Sequence, residues 1–259
     1  MKRLVICLIT ASSILFSLSA WSASTKEEIL QLRIQVEEIQ NDLAEIKNLL
    51  EEGARAPAAA AAPQPEGFRP QTVSIGNSPV KGEPNATLTM IEYSDYQCPF
   101  CARNYRDVLP TIQKEYIDTG KLKFVMREYP LSQLHPNATN ASMAALCAGD
   151  QGKYWEMHNL LFDNQKELGV ENLKSFAGTI GLDTAKFDEC LDTKQTEGEV
   201  RGDMASGAKL GMRGTPGFFI GVTDPDDTNQ VELSVFIKGA QSIDQFRASI
   251  DDLLASKGK

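Results

Sequence analysis

Apolar residues recur with strict three-four spacing at Ile29, Leu32, Val36, Ile39, Leu43, Ile46 and Leu50. A seam this narrow, sustained over successive heptads, predicts a coiled-coil helix across residues 23–52. Thr25-Lys26-Glu27-Glu28 opens it as a capping box. With Ile29 at position a, a parallel coil pairs Glu28 with Arg33 and Asp42 with Lys47, both opposite in sign. A helix packed along its own domain would show a wider apolar stripe. Ile39 and Ile46 at d disfavour a strict dimer, whereas the matched charges suit one, so the pattern predicts a homodimer or homotrimer through residues 25–52.

The flanking segments differ in texture. Residues 1–22 carry Lys2 and Arg3, a largely apolar stretch over 4–18, and small residues at Ala20, Ser22 and Ala23. This is the pattern of an export signal removed after Ser22, and the apolar stretch is short for a membrane anchor. Residues 53–70 are rich in Ala and Pro and read as a linker of intermediate stiffness.

From residue 71 the pattern is globular and runs to 259. Apolar and threonine-rich residues predict a strand over 86–94, then a helix over 98–117 and a strand over 122–128. Residues 138–208 are helical by pattern, with Trp155, His158, Leu161 and Phe162 on one stripe. Strands follow over 217–221 and 231–238, joined by an acidic turn around Asp224-Pro225-Asp226-Asp227. A last helix starts at Ser242, with Gln245 completing a capping box. The order predicts an α/β fold: a mixed sheet with helices on both faces.

Composition narrows the function. The 259 residues are 42% hydrophobic and 24% charged, an ordinary soluble composition with room for one core and an accessory segment. Loss of Lys2 and Arg3 with the signal takes the net charge from −9 to −11. So acidic a chain, without a basic patch, is a poor binder of nucleic acid or anionic membrane. Cys7 leaves with the signal, and Cys98, Cys101, Cys147 and Cys190 remain. An even count in an oxidising compartment predicts two disulfides.

Cys98-Pro99-Phe100-Cys101 follows a predicted strand and opens a predicted helix. Helix N-termini present unpaired N–H groups and positive partial charge, which stabilise a thiolate. Pro99 suits the first helical position because its missing N–H costs nothing there. Cys98 is then the exposed nucleophile and Cys101, one turn on, the inward resolving thiol. A zinc site lacks ligands: there is no second C-x-x-C, and His135 and His158 are the only histidines. A purely structural Cys98–Cys101 bridge would close almost no loop.

The stretch Tyr93-Ser94-Asp95-Tyr96-Gln97-Cys98-Pro99-Phe100-Cys101 resembles the active site of the DsbA-like thioredoxin-fold family, over roughly residues 72–256. A second motif fits, Arg213-Gly214-Thr215-Pro216-Gly217-Phe218-Phe219. The resemblance implies a thioredoxin fold with a helical insertion at about 138–208, preceded by the oligomerisation helix. It implies a cis Thr215–Pro216 bond against Cys98, with Thr215 backbone pairing to substrate. It implies a buried acid at Glu92 that helps move the proton of the buried thiol; a hydrogen-bonded structural acid is the alternative. Asp95 reads as a turn residue nearer the surface. Part of the family also carries a second disulfide, which here implies Cys147–Cys190, against two buried thiols. No cofactor or metal is implied.

The implied activity is that of an exported, periplasmic protein thiol:disulfide oxidoreductase and isomerase acting on unfolded or misoxidised proteins. Thr before the proline, the coiled coil and the linker lean toward shuffling; the insertion and the Tyr96-Gln97-Cys98-Pro99 stretch lean toward oxidation. The membrane redox partner would be DsbB-like or DsbD-like accordingly. The other reading is a periplasmic chaperone or a Cu(I)-handling thiol protein.

Overall fold

Strand β3 (Leu88–Ser94) is buried along its whole length, as its nearly unbroken apolar run requires of a strand covered on both faces. It lies inside a six-stranded sheet in the computed structural model. The structure describes residues 68–257, together with 31–33, 35–37 and 40. The export signal and most of the segments read as coiled coil and linker lie outside the described residues. The chain divides into two units, 1–65 and 66–259. In the first, the residues described are helical, and Leu32 and Val36 are 59% and 51% exposed.

In the second unit, β4 (Leu122–Glu128) runs parallel to β3, from Leu88 opposite Leu122 to Ser94 opposite Glu128. β5 (Gly217–Thr223) pairs antiparallel with β3 on its other side, and β6 (Gln230–Lys238) antiparallel with β5. The edges are β1 (Gln71–Ser74), antiparallel to β6, and β2 (Val80–Lys81), antiparallel to β4. The β3–β4 crossover holds α1 (Pro99–Asp107), α2 (Leu109–Ile112) and a π-helical turn (Gln113–Ile117). The helix predicted over 98–117 is thus broken: Pro110 has no N–H to continue the ladder past Val108.

Between β4 and β5 lie five insertion helices, α3 (Ala138–Gly149), α4 (Tyr154–Asp163), α5 (Val170–Thr179), α6 (Thr184–Asp192) and α7 (Glu197–Lys209), and α8 (Ile243–Lys257) closes the unit. Strand residues alternate between two cores. Leu88, Met90, Phe124, Phe218 and Ile220 face α1, α2, α8 and most of the insertion. Ile91, Tyr93, Val125 and Phe219 pack on the other side with Leu210 and Met212. There α7 comes close enough that a Cβ on Gly207 would lie 2.9 Å from ring carbons of Tyr93 and Tyr129. Phe68, within the predicted linker, packs its ring 5.1 Å from that of Phe219. On α4, His158, Leu161 and Phe162 are buried and Trp155 partly so. No helix among the described residues is long and apolar enough to cross a membrane.

Candidate active site

Cys98 is the N-cap of α1, with φ −71° and ψ 123°, and Pro99 takes the first helical position. No side chain caps the helix, so the N–H groups of its first turn face the sulfur. Cys98 and Cys101 are both thiols and both are buried. Cys98 is 3% exposed, not the exposed residue expected from the sequence, because it packs against the cis-proline loop and the core beneath α1. The Cys98 thiol is pulled down to about 6 by hydrogen bonding from Cys101 first, then from Thr215 and the backbone N–H groups of Cys101 and Phe100, against the opposing effect of burial. At neutral pH Cys98 is therefore largely thiolate, the nucleophilic form. Cys101 is fully buried, and that burial holds its thiol well above the ordinary range.

The Thr215–Pro216 bond is cis, and Thr215 O lies 3.5 Å from Cys98 Sγ. Register explains the meeting. Tyr93 pairs with Gly217, so Pro216 sits beside the end of β3, where the loop to Cys98 begins. A Cβ at Gly217 would fall 2.3 Å from Met212 Sδ, so any larger residue there would require the end of the Met212 side chain to move.

Glu92 shares the face of β3 that carries Leu88 and Met90, beneath α1, and is 3% exposed. Asn104, one turn beyond Cys101, donates to its Oε2 at 3.5 Å. Burial, with the charge of Cys98 adding and Ser94 opposing, raises the Glu92 carboxyl from 4.5 to about 8. The native protein thus keeps this proton to higher pH than the unfolded chain. Its stabilising effect is complete in acid and is lost as pH rises through the folded value. Glu92→Gln, which cannot ionise, escapes that loss. It is expected to be more stable than the parent by about 3 kcal/mol at pH 7, the difference closing near pH 4. Urea denaturation across pH checks this, and a difference independent of pH contradicts it.

Asp95 is not a surface turn residue. It is fully buried and accepts from Gln97 N–H at 2.7 Å, Leu131 N–H at 2.8 Å and His135 Nδ1 at 2.8 Å. Glu128, at the end of β4, escaped the sequence reading. Its Oε1 accepts from Tyr154 at 2.6 Å and Tyr96 at 3.5 Å, and Tyr96 also meets His158 Nδ1 at 3.2 Å. Burial raises Glu128 to about 8 and pushes His158 down to about 3, so both are neutral at pH 7. Phe100, between the two cysteines, is 55% exposed, and Arg103 lies over its ring at 5.3 Å. His135 and His158 belong to no cluster of three metal-binding side chains among the described residues. Cys147 of α3 and Cys190 of α6 are joined by a disulfide, with Cα atoms 5.9 Å apart.

Residues 74–252 match the family model described as thioredoxin. Among solved structures, the chain is similar to alpha-DsbA1 of Wolbachia pipientis, at 27% identity and a TM-score of 0.60, over 70% of this chain and 92% of that one. A thioredoxin-like oxidoreductase from Silicibacter pomeroyi is 26% identical with a TM-score of 0.57, over 68% of this chain and 92% of that one. BdbD from Bacillus subtilis, at 24% identity, shares the fold with a TM-score of 0.62, over 73% of this chain and 99% of that one. Among curated proteins, Na(+)/H(+) antiporter NhaA 3 of Salinispora tropica is 34% identical over 141 residues, which is 54% of this chain and 21% of that protein. The chain thus spans about a fifth of the length of that relative, and the antiporter name is not carried to it.

Proposed function

The chain belongs to the thioredoxin family, and on that premise we propose that it is an exported thiol:disulfide oxidoreductase that forms and isomerises protein disulfides through Cys98 and Cys101. One observation carries the reading: the Cys98 sulfur lies at the uncapped head of α1 against Thr215 O, with Cys101 fully buried one turn on.

In the oxidising direction a substrate thiolate attacks Cys98 Sγ of the Cys98–Cys101 disulfide. The S–S bond breaks, Cys101 leaves as thiolate and takes a proton, for which Glu92 is the neighbouring source. A second substrate thiolate then attacks the substrate sulfur of the mixed disulfide and expels Cys98. Because Cys101, Thr215 and the N–H groups of the helix head stabilise that leaving thiolate, release is fast and the protein disulfide is a good oxidant. In isomerisation, thiolate Cys98 attacks a wrong disulfide instead, and a substrate thiol or Cys101 resolves the adduct. The Thr215 backbone offers the substrate a short strand pairing. Full reoxidation or reduction needs a membrane partner, DsbB-like or DsbD-like.

Export to the periplasm is supported by the signal pattern and by a disulfide remote from the redox pair. Assembly through residues 25–52 is supported by the apolar seam, of which Leu32 and Val36 are uncovered in the single chain. Refolding of ribonuclease tests both parts. The full chain is expected to oxidise the reduced substrate and to rescue the scrambled one; failure at both rejects the function. Deleting residues 24–66 is expected to give a monomer that keeps oxidation and loses most isomerisation. A deletion protein that sediments as an oligomer rejects the coiled coil.

A further inference from the structure

Gln165, in the turn after α4, donates from one carboxamide nitrogen to two carbonyls of the loop that carries the nucleophile: 2.6 Å to Tyr96 O and 3.1 Å to Cys98 O. That nitrogen has two hydrogens, so both bonds form at once. The carboxamide cannot be turned over, because its oxygen would then face two carbonyls with no hydrogen between them.

The same loop is gripped elsewhere. Asp95 holds Gln97 N–H, the Asn137 N–H holds Gln97 Oε1 at 2.7 Å, and the Tyr96 ring is fixed by Tyr154, His158 and Glu128. Gln165 reaches the carbonyl of Cys98 itself, which also accepts the first helical N–H, from Ala102, at 3.1 Å. A carbonyl oxygen carries partial negative charge, here within the residue whose sulfur must hold a full one. A donor placed on it offsets that charge and fixes the entry of the chain into α1.

We propose that Gln165 is a positioning residue of the redox site, reaching out of the helical insertion to hold the Tyr96–Cys98 backbone so that the Cys98 sulfur stays at the head of α1. The proposal rests on Cys98 being the redox nucleophile. It gives the insertion a role in the chemistry: the insertion sets the oxidising strength of a cysteine pair carried by the sheet and α1.

The test compares the full chain with Gln165→Glu, Gln165→Ala and, as a control, Lys166→Ala at an exposed neighbour. Gln165→Glu keeps the length of the side chain, but its carboxylate can only accept. Thiolate absorbance of the reduced protein is titrated against pH. The equilibrium of protein disulfide plus two glutathione thiols with protein dithiol plus glutathione disulfide is then measured. Gln165→Glu is expected to raise the Cys98 titration by about one pH unit and to disfavour reduction about tenfold. Gln165→Ala shifts both in the same direction by a smaller amount, and Lys166→Ala shifts neither. Gln165 variants that titrate and equilibrate like the parent overturn the proposal, as does a lowered melting midpoint with an unchanged titration. The titration needs no turnover, so a parent chain that titrates as described yet exchanges no disulfides rejects the oxidoreductase reading alone.

Discussion

Replacing Cys98 by alanine is expected to reduce disulfide exchange to below about 1% of the parent rate, because the attacking thiolate is gone and no other group can form the mixed disulfide. Cys101 cannot take over. It is fully buried, and its thiol is held well above the ordinary range. Stability changes little by comparison, since alanine leaves the extended N-cap and Pro99 in place. Cys101→Ala has a different signature. It keeps the attack but loses the resolving thiol, so mixed disulfides through Cys98 accumulate. Stopped-flow reaction with a model peptide disulfide and non-reducing mass spectrometry read both variants. A Cys98→Ala protein that retains exchange contradicts the assignment of the nucleophile.

The second large effect falls on stability. Cys147 and Cys190 are 43 residues apart and tie α3 to α6 inside the insertion. A loop of that length closed in the unfolded chain corresponds to about 4 kcal/mol in the chain-entropy treatment. The double variant Cys147→Ala/Cys190→Ala is expected to unfold about 10 °C below the parent. The Cys98 titration should stay where it is, because neither bridge sulfur belongs to the redox site. Calorimetry under oxidising conditions checks the first point, and an unchanged midpoint contradicts it.

The parts of this fold that could be read from the sequence are those fixed locally. β3, β4, β5 and β6 announced themselves by apolar runs, and the start of α1 by Pro99 after Cys98. β1 and β2 did not. One has four residues with only one partly buried, the other has two, and both lie at sheet edges where pairing leaves no apolar imprint. The break after Asp107 was written in Pro110 but was outweighed by the continuous helical pattern around it. At the site, Cys98 and Cys101 form a local motif, whereas Thr215 and Pro216 were reached through family likeness. Asp95, Glu128 and Gln165 took their meaning from partners dozens of residues away: His135 for the first, Tyr154 for the second, Tyr96 and Cys98 for the third. No spacing rule links such pairs, so each read as an ordinary polar residue.

We propose above all that Cys98 and Cys101 are a redox pair apart from the rest of the chain. The most direct test is equilibration of the purified protein across glutathione ratios, followed by acid quench, alkylation and mapping of each cysteine. Cys98 and Cys101 are expected to open and close together, staying reduced until the buffer is strongly oxidising, while Cys147 and Cys190 remain linked throughout. A Cys98–Cys101 bond that never forms, or that forms only by exchange with Cys147 or Cys190, contradicts the proposal.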